Sequence, residues 1–183
     1  MGEAVEISGG DKLQAKLKEL ADGLAKGALL RVGFLEGATH THSDLPMAAI
    51  AAIQEFGAPA AGIPPRPFFR NMVAQYSGDW GEQLAEQLKV ADYDSWQALF
   101  VMGLALRGEL QQSMTDLDNP PLSPVTLMLR KMQMAPENRT ITGKVVGEAA
   151  ARVAAGESPG GVSTKPLIWT GELQSAVDFE VHE

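Results

Sequence analysis

The strand-like segments of this chain lie near its two ends, and the long stretch between them has mainly helical periodicity. Residues 4–8 alternate before a Gly-Gly pair and predict an edge strand, whereas the apolar run 28–35 predicts a buried strand. Residues 177–181 alternate again and predict a final strand. Since isolated strands leave their backbone groups unpaired, these distant segments must meet in one small sheet. The sequence therefore predicts an α+β fold with several helices packed on the sheet.

Apolar residues at intervals of three and four mark the helical segments, and glycine or proline marks their ends. The longest helix is predicted from about 93 to 117, where Asn-Pro-Pro ends it, and an N-terminal helix from an N-cap at Asp11 to Gly27. Their apolar faces are Leu13, Leu17, Leu20, Ala21 and Leu24 in the N-terminal helix, and Trp96, Leu99, Met102, Leu106, Leu110 and Met114 in the long one. Shorter helices are predicted at 48–56, 68–76, 80–88, 124–134 and 143–155, with one turn from a cap at Thr170 to Leu173.

The length of 183 residues suits one domain and is too short for two of full size. We therefore interpret residues 1–183 as a single α+β domain. Residues 132–163 are its least characteristic part, an Ala-rich helical pattern flanked by loops, and we interpret them as a helical and loop insertion.

The charge balance and the absence of cysteine exclude several classes of protein. There are 23 acidic and 15 basic residues, a net charge of −8, and no basic stripe, so affinity based on neutralising phosphates is not expected. A chain without cysteine forms no disulfide, thiolate metal site or cysteine nucleophile. The N-terminus lacks the plan of a secretory signal and no long apolar run occurs, so we expect no membrane partner.

The metal-like cluster of this sequence is His40-Thr-His42-Ser-Asp44. Imidazole and carboxylate groups at alternate positions could converge on one ion, and a metal-dependent hydrolase using this loop is one alternative. We favour a solvated polar loop, because further ligands are lacking. Carboxylates such as Glu55 and Glu172 could act as general bases, but no motif pairs them. We therefore expect no enzyme, no metal and no cofactor.

Three prolines surround Arg66 in the segment 63–70, Ile-Pro-Pro-Arg-Pro-Phe-Phe-Arg. Each proline fixes its own φ at about −65° and restricts the preceding residue, which stiffens the approach to the next helix. Phe68 and Phe69 are predicted to anchor the start of that helix. We favour a structural elbow in which Arg66 satisfies carbonyls or a carboxylate at a helix end, and direct contact of Arg66 with a partner is the alternative.

Three motifs in order carry a family resemblance. The first comprises Glu55, Phe56 and Gly57, then Pro65, Arg66, Pro67, Phe68 and Arg70. The second is Asn-Pro-Pro-Leu-Ser-Pro-Val-Thr at 119–126, and the third is Lys-Pro-Leu-Ile-Trp-Thr-Gly-Glu-Leu at 165–173, which contains Thr170, Gly171 and Leu173. In this order the motifs resemble the neck and tail-completion proteins of lambdoid and related tailed bacteriophages, the minor tail protein Z-like and virion morphogenesis proteins. Trp169 departs from the pattern, because Asp is common there.

The resemblance implies a structural role. Such proteins have an α+β fold with a small antiparallel sheet and a long helix, and they assemble as rings, commonly hexameric, at the head–tail junction. The implied partners are further copies of the chain, a head-connector or adaptor protein, and a tail terminator or tail-tube protein, with packaged double-stranded DNA passing through the lumen. The implied location is the virion neck, and the host cytoplasm during assembly. A tail terminator that caps the tube is an alternative of the same class, and a DNA-binding regulator is disfavoured by the missing basic patch.

Overall fold

The computed structural model describes residues 10–25, 27–40, 45–133 and 141–182. Their order is α1 (Gly10–Ala25), β1 (Leu29–Phe34), α2 (Met47–Phe56), a 3₁₀ turn (Pro59–Ala61), α3 (Phe68–Tyr76), α4 (Trp80–Val90), α5 (Ser95–Asp116), α6 (Pro124–Gln133), α7 (Gly143–Ala154), α8 (Glu172–Ser175) and β2 (Val177–His182). The fold is α+β as predicted. None of the described helices is both long and apolar enough to cross a membrane.

The two described strands pair with each other across nearly the whole chain. β1 and β2 are antiparallel, with Leu29 opposite His182 and Phe34 opposite Val177. The predicted final strand is thus confirmed, while the predicted strand at 4–8 lies outside the described residues. The long helix α5 packs on both strands. At its closest approach Gly103 faces the ring of Phe179, which a Cβ at that position would overlap.

The main core lies between α5, the sheet and the helices around them. Its buried members are Ala51, Phe68, Met72, Leu110, Met114, Leu117, Leu167 and Val177. A second, smaller cluster joins α6 to α7 through Met128, Met132 and Ala149. α3 and α4 both pack on α5, so the long helix is the element that most of the other parts share.

Most of the predicted helices have the expected bounds, because proline and glycine mark their ends. Pro46 is the N-cap of α2, and Gly57 ends that helix with a φ of 77°. Ser123 accepts a hydrogen bond from the Thr126 amide at the start of α6. The predicted long helix at 93–117 is observed as Ser95–Asp116.

The first helix differs from its prediction in what its apolar face does. Leu13, Leu17 and Leu24 are 63%, 57% and 46% exposed, because no described element covers that side of the helix. The helix also begins at Gly10, so Asp11 lies in its first turn and is not the N-cap. At that position its negative charge interacts favourably with the helix dipole.

The strand predicted at 28–35 is shorter and less buried than expected. It runs from Leu29 to Phe34, and its side chains alternate between exposed and half-buried positions, with Gly33 as its buried residue. Leu29 is 52% exposed. The reason is that a sheet of two described strands has no central strand, and α5 covers one of its faces.

Candidate functional site

The carboxylate of Glu55 lies at the end of α2 and caps the start of α3. Its Oε2 accepts the backbone N–H of Phe69 at 2.9 Å, and its Oε1 accepts that of Arg70 at 3.3 Å. The N-cap residue Pro67 provides no side-chain bond of its own. The first amides of a helix have no hydrogen-bond partner within it. The Glu55 carboxylate satisfies two of these amides in α3, and its negative charge interacts favourably with the helix dipole.

Arg70 completes this cap from the other side. Its Nε donates to Glu55 Oε1 at 2.7 Å, and its Nη2 donates to the Glu55 carbonyl at 3.1 Å. The guanidinium also lies 5.3 Å from the centre of the Phe56 ring. Glu55 is buried at 5% exposure, whereas Phe56 is 67% exposed. The buried carboxylate therefore has charge-assisted bonds to both backbone and side chain, which is the condition for burying it.

Gly57 is the point at which the chain turns back towards α3. Its φ is 77°, and a Cβ there would lie 2.8 Å from both the Ile63 carbonyl oxygen and the Pro65 nitrogen. Both the backbone conformation and the close approach require glycine. The turn brings the proline-rich segment back along α2, where the Arg66 amide donates to the Gln54 carbonyl at 2.7 Å.

Phe68 is the anchor of the elbow. It is 1% exposed, and its carbonyl accepts the hydroxyl of Ser113 on α5 at 2.6 Å. The Phe68 ring meets that of Phe34 edge to face, at a centroid distance of 6.1 Å. Phe69 is half-buried beside the same core. Of the two adjacent rings, Phe68 therefore fixes α3 to the rest of the fold.

Arg66 is buried beneath the elbow and does not project towards a partner. It is 6% exposed, and its Nη1 donates to Gln54 Oε1 at 3.1 Å, while its buried Nε has no hydrogen-bond partner. Burial lowers the pKa of the Arg66 guanidinium, because the charged form loses solvation. The described hydrogen bond of the Arg66 side chain is thus to the side-chain carbonyl oxygen of Gln54, close to the end of α2.

Arg130 on α6 binds the loop that carries the third motif, and sequence analysis did not single it out. Its Nη1 donates to the carbonyls of Ser163 at 2.7 Å and Lys165 at 2.9 Å, and reaches that of Ile168 at 3.4 Å. Its Nη2 donates to the Pro166 carbonyl at 3.1 Å. Four carbonyls around one guanidinium hold the loop to α6.

Burial and charge both act on Arg130. Burial lowers the pKa of its guanidinium, and the nearby charge of Arg66 lowers it further. The Arg130 guanidinium also lies 5.2 Å from the centre of the Trp169 ring. An aromatic face at this distance attracts a cation, so Trp169 has a local partner although Asp is common at its position in the resembling family.

The third motif continues into the short helix α8. The predicted cap at Thr170 is displaced by one residue: the N-cap is Gly171, with a φ of 79°, and Thr170 Oγ1 accepts the Glu172 amide at 3.3 Å. The left-handed conformation at Gly171 turns the chain before the helix starts. Leu173 then packs against the main core.

A cavity of about 690 Å³ lies between α2, α6 and the third motif. Ile50, Gln54, Arg130, Trp169 and Glu172 are among the residues that line it. Glu172 Oε2 is buried on this wall without a hydrogen bond, 3.4 Å from His40 Nε2. The cavity therefore has both apolar and polar walls, and the charged or ionisable groups among its lining residues are the Arg130 guanidinium, the Glu172 carboxylate and the His40 imidazole.

The predicted metal loop is only partly described. His40 is placed beside Glu172, while His42 and Asp44 lie outside the described residues. Across the described ranges, no three His, Asp or Glu side chains are grouped so that they could hold a metal ion. The hydrolase alternative stays a prediction that a metal analysis would test.

Comparison with known proteins identifies no relative. No family model, no curated protein and no solved structure matches the chain.

Proposed function

We propose that this chain is a structural subunit of the bacteriophage head–tail junction, and that it forms a ring that completes the tail and joins it to the head connector. Packaged DNA passes through the lumen of the ring. The proposal rests on the three sequence motifs that resemble neck and tail-completion proteins. The observation that carries it is that these motifs are joined in one network of buried contacts.

Each motif contributes a different part of that network. The first contributes Phe68 to the main core, where it joins Leu167 of the third. The second begins α6, which presents Arg130 to the carbonyls of Lys165 and Pro166 in the third. Segments far apart in sequence that interlock in this way support a shared fold behind the resemblance.

The buried charges of the network bind backbone groups. The Glu55 carboxylate accepts two helix amides, and Arg130 donates to four loop carbonyls. A charged group that hydrogen-bonds to several backbone atoms holds those atoms in place, so these contacts make the subunit rigid. A ring that bears the load between head and tail needs rigid subunits.

The charge of the chain suits a wall past which DNA must slide. A net charge of −8 gives little attraction for phosphates, so DNA in the lumen would not be held.

The proposal is tested by deleting the gene from the phage that carries it and imaging the products by electron microscopy. A tail-completion ring predicts filled heads and separate tails of normal length, and purified chain added to the extract should join them. Tails of abnormal length would favour the alternative, a tail terminator that caps the tube. Normal, infectious particles without the chain would reject both.

A further inference from the structure

The first three turns of α5 present an uncharged face to solvent. Residues 95–106 contain no Asp, Glu, Lys or Arg. On this part of the helix Trp96, Phe100, Val101 and Leu104 are 43%, 39%, 40% and 45% exposed. Solvated helix faces normally carry charged side chains, so an uncharged face of this length is typical of a contact surface. We call these four side chains the α5 face.

The leucines of α1 form a second exposed apolar stripe. Leu13, Leu17, Leu20 and Leu24 are spaced four, three and four residues apart, which is the pattern of a helix–helix seam. Three of them are exposed and Leu20 is half-buried. We call these four residues the α1 stripe.

The α1 stripe does not lie on the α5 face of its own chain. α1 contacts the turn between α4 and α5, where Lys16 Nζ lies 2.9 Å from Asp92 Oδ2. A Cβ on Gly23 would lie 3.2 Å from the Tyr93 carbonyl oxygen, so the helix is close to the turn at this point as well. With α1 held at the turn, both apolar surfaces of the chain remain exposed.

The two surfaces are comparable in length, and both are uncharged. The α1 stripe spans residues 13–24, about 16 Å at the rise of an α-helix, and the α5 face spans residues 96–104, about 12 Å. α1 itself is neutral, since Lys12, Lys16 and Lys18 balance Asp11, Glu19 and Asp22. A copy with net charge −8 can therefore approach another along these two helices with little like-charge repulsion between the facing surfaces.

We infer that the α1 stripe of one copy packs on the α5 face of the next copy. The contact joins two different surfaces, so each copy keeps one of each free, and repetition builds a ring if the rotation closes. This inference deepens the ring assembly of the proposed function and rests on it for ring closure. One helix pair is small beside a standard interface of about 1,600 Å², so the contact alone is weak.

Engineered cysteines test the contact directly, since the chain contains no cysteine of its own. Leu17→Cys and a mass-tagged Leu104→Cys variant are mixed at high protein concentration and oxidised, and the disulfide dimers are identified by mass. We expect the mixed 17–104 dimer to exceed each homodimer. Lys18→Cys and Glu86→Cys are exposed helix positions outside both surfaces and give the background.

Each alternative occupant has its own outcome in this experiment. Dominant 17–17 or 104–104 homodimers would mean that each surface packs on itself. A monomeric 17–104 disulfide in the double variant would mean that α1 covers α5 of its own chain. Either result, or mixed dimers no more abundant than the background, overturns the inference.

A second experiment uses charge to block each surface. Leu17→Glu or Leu104→Glu should weaken self-association about tenfold or more, because a carboxylate would be buried in the contact. An equal mixture of the two variants should form dimers but nothing larger, since one intact pair of surfaces remains. Unchanged far-UV circular dichroism and melting establish that each variant folds, and association as strong as that of the unmodified chain would contradict the contact.

The outcomes separate this inference from the proposed function. If the chain is present at the neck of the virion but the cross-links do not form, the contact is rejected and the proposed function stands. If the cross-links form but the phage assembles normally without the chain, the proposed function is rejected and the contact stands.

Discussion

The backbone N–H of Phe69 at the start of α3 donates to the carboxylate of Glu55 at the end of α2, over 2.9 Å. Through this bond a residue of α2 caps α3, so the angle between the two helices depends on it. The same carboxylate also accepts hydrogen bonds from the backbone amide and from the Nε of Arg70.

Glu55→Ala should lower the free energy of unfolding by about 2–3 kcal/mol, because it leaves two helix amides without their charged acceptor. Arg70→Ala should cost less, about 1 kcal/mol, since that side chain is 59% exposed and water replaces part of its bonding. Urea unfolding measures both. Glu86→Ala, an exposed carboxylate on α4, is the control and should change stability by less than about 0.5 kcal/mol. Equal effects at positions 55 and 86 would show that the cap contributes nothing.

Phe68→Ala should destabilise the fold by about 3–5 kcal/mol, because the ring is 1% exposed and its removal leaves a cavity. Phe69→Ala should cost less, since its ring is only half-buried. Phe56→Ala, at a ring that is 67% exposed, is the matched aromatic control. The melting temperatures rank the three variants. A Phe68→Ala variant that melts at the same temperature as the unmodified chain would show that Phe68 does not anchor the elbow.

Two glycines of α5 should respond to alanine with opposite sign. Gly103→Ala should destabilise by about 1–3 kcal/mol, because its Cβ would overlap the Phe179 ring and push β2 away. At Gly108 a Cβ would meet nothing within 4 Å, so Gly108→Ala should stabilise by up to about 1 kcal/mol through helix propensity. Denaturant midpoints decide the signs. Stabilisation at both positions would mean that the helix does not approach the sheet so closely.

Chelation, or replacement of both loop histidines, should leave assembly intact. The motive is the lack of further ligands around His40 and His42 in the sequence. The measurement is head–tail joining by purified His40→Ala/His42→Ala chain in extracts with a chelator, together with metal analysis of the unmodified protein. Joining that is lost with the chelator and restored by zinc would instead favour a functional metal in this loop.

Added salt should strengthen self-association of the purified chain. The subunit alone should be largely monomeric, because every copy carries a net charge of −8 and the copies brought together in the proposed ring repel one another. Salt screens that repulsion, and the uncharged α5 face loses little from screening. Sedimentation across a salt series measures the effect. A stable ring at low salt that dissociates as salt rises would show that ion pairs between copies dominate.

The parts of the fold that sequence predicted are those with local causes. α2 begins after Pro46, whose ring fixes its φ, and ends at Gly57, where the missing Cβ permits a positive φ. The α1 stripe shows what periodicity leaves open: the spacing predicted an amphipathic helix correctly, but burial depends on which element lies opposite. The exposure of Leu17 depends on tertiary packing, which the helical repeat in the sequence does not specify.

The candidate site was predicted less completely, since its contacts are long-range. Glu55 was considered as an unpaired carboxylate, and its role depends on the amide of Phe69, fourteen residues later. Arg130 binds carbonyls up to 38 residues away, and backbone oxygens have no signature in sequence. The signal in the sequence that could have indicated it is an arginine directly after three apolar residues, Leu-Met-Leu-Arg at 127–130.

The pairing of β1 with β2 sets an order of events during synthesis. Arg31 and its cross-strand partner Glu180 are 149 residues apart. At about 5–20 residues per second, a ribosome needs roughly 7–30 s to supply the second strand after the first. During that interval α5 has been made but the sheet that covers it has not, so the nascent chain carries an apolar helix side open to other molecules. The chain therefore completes this sheet only after β2 has been synthesised.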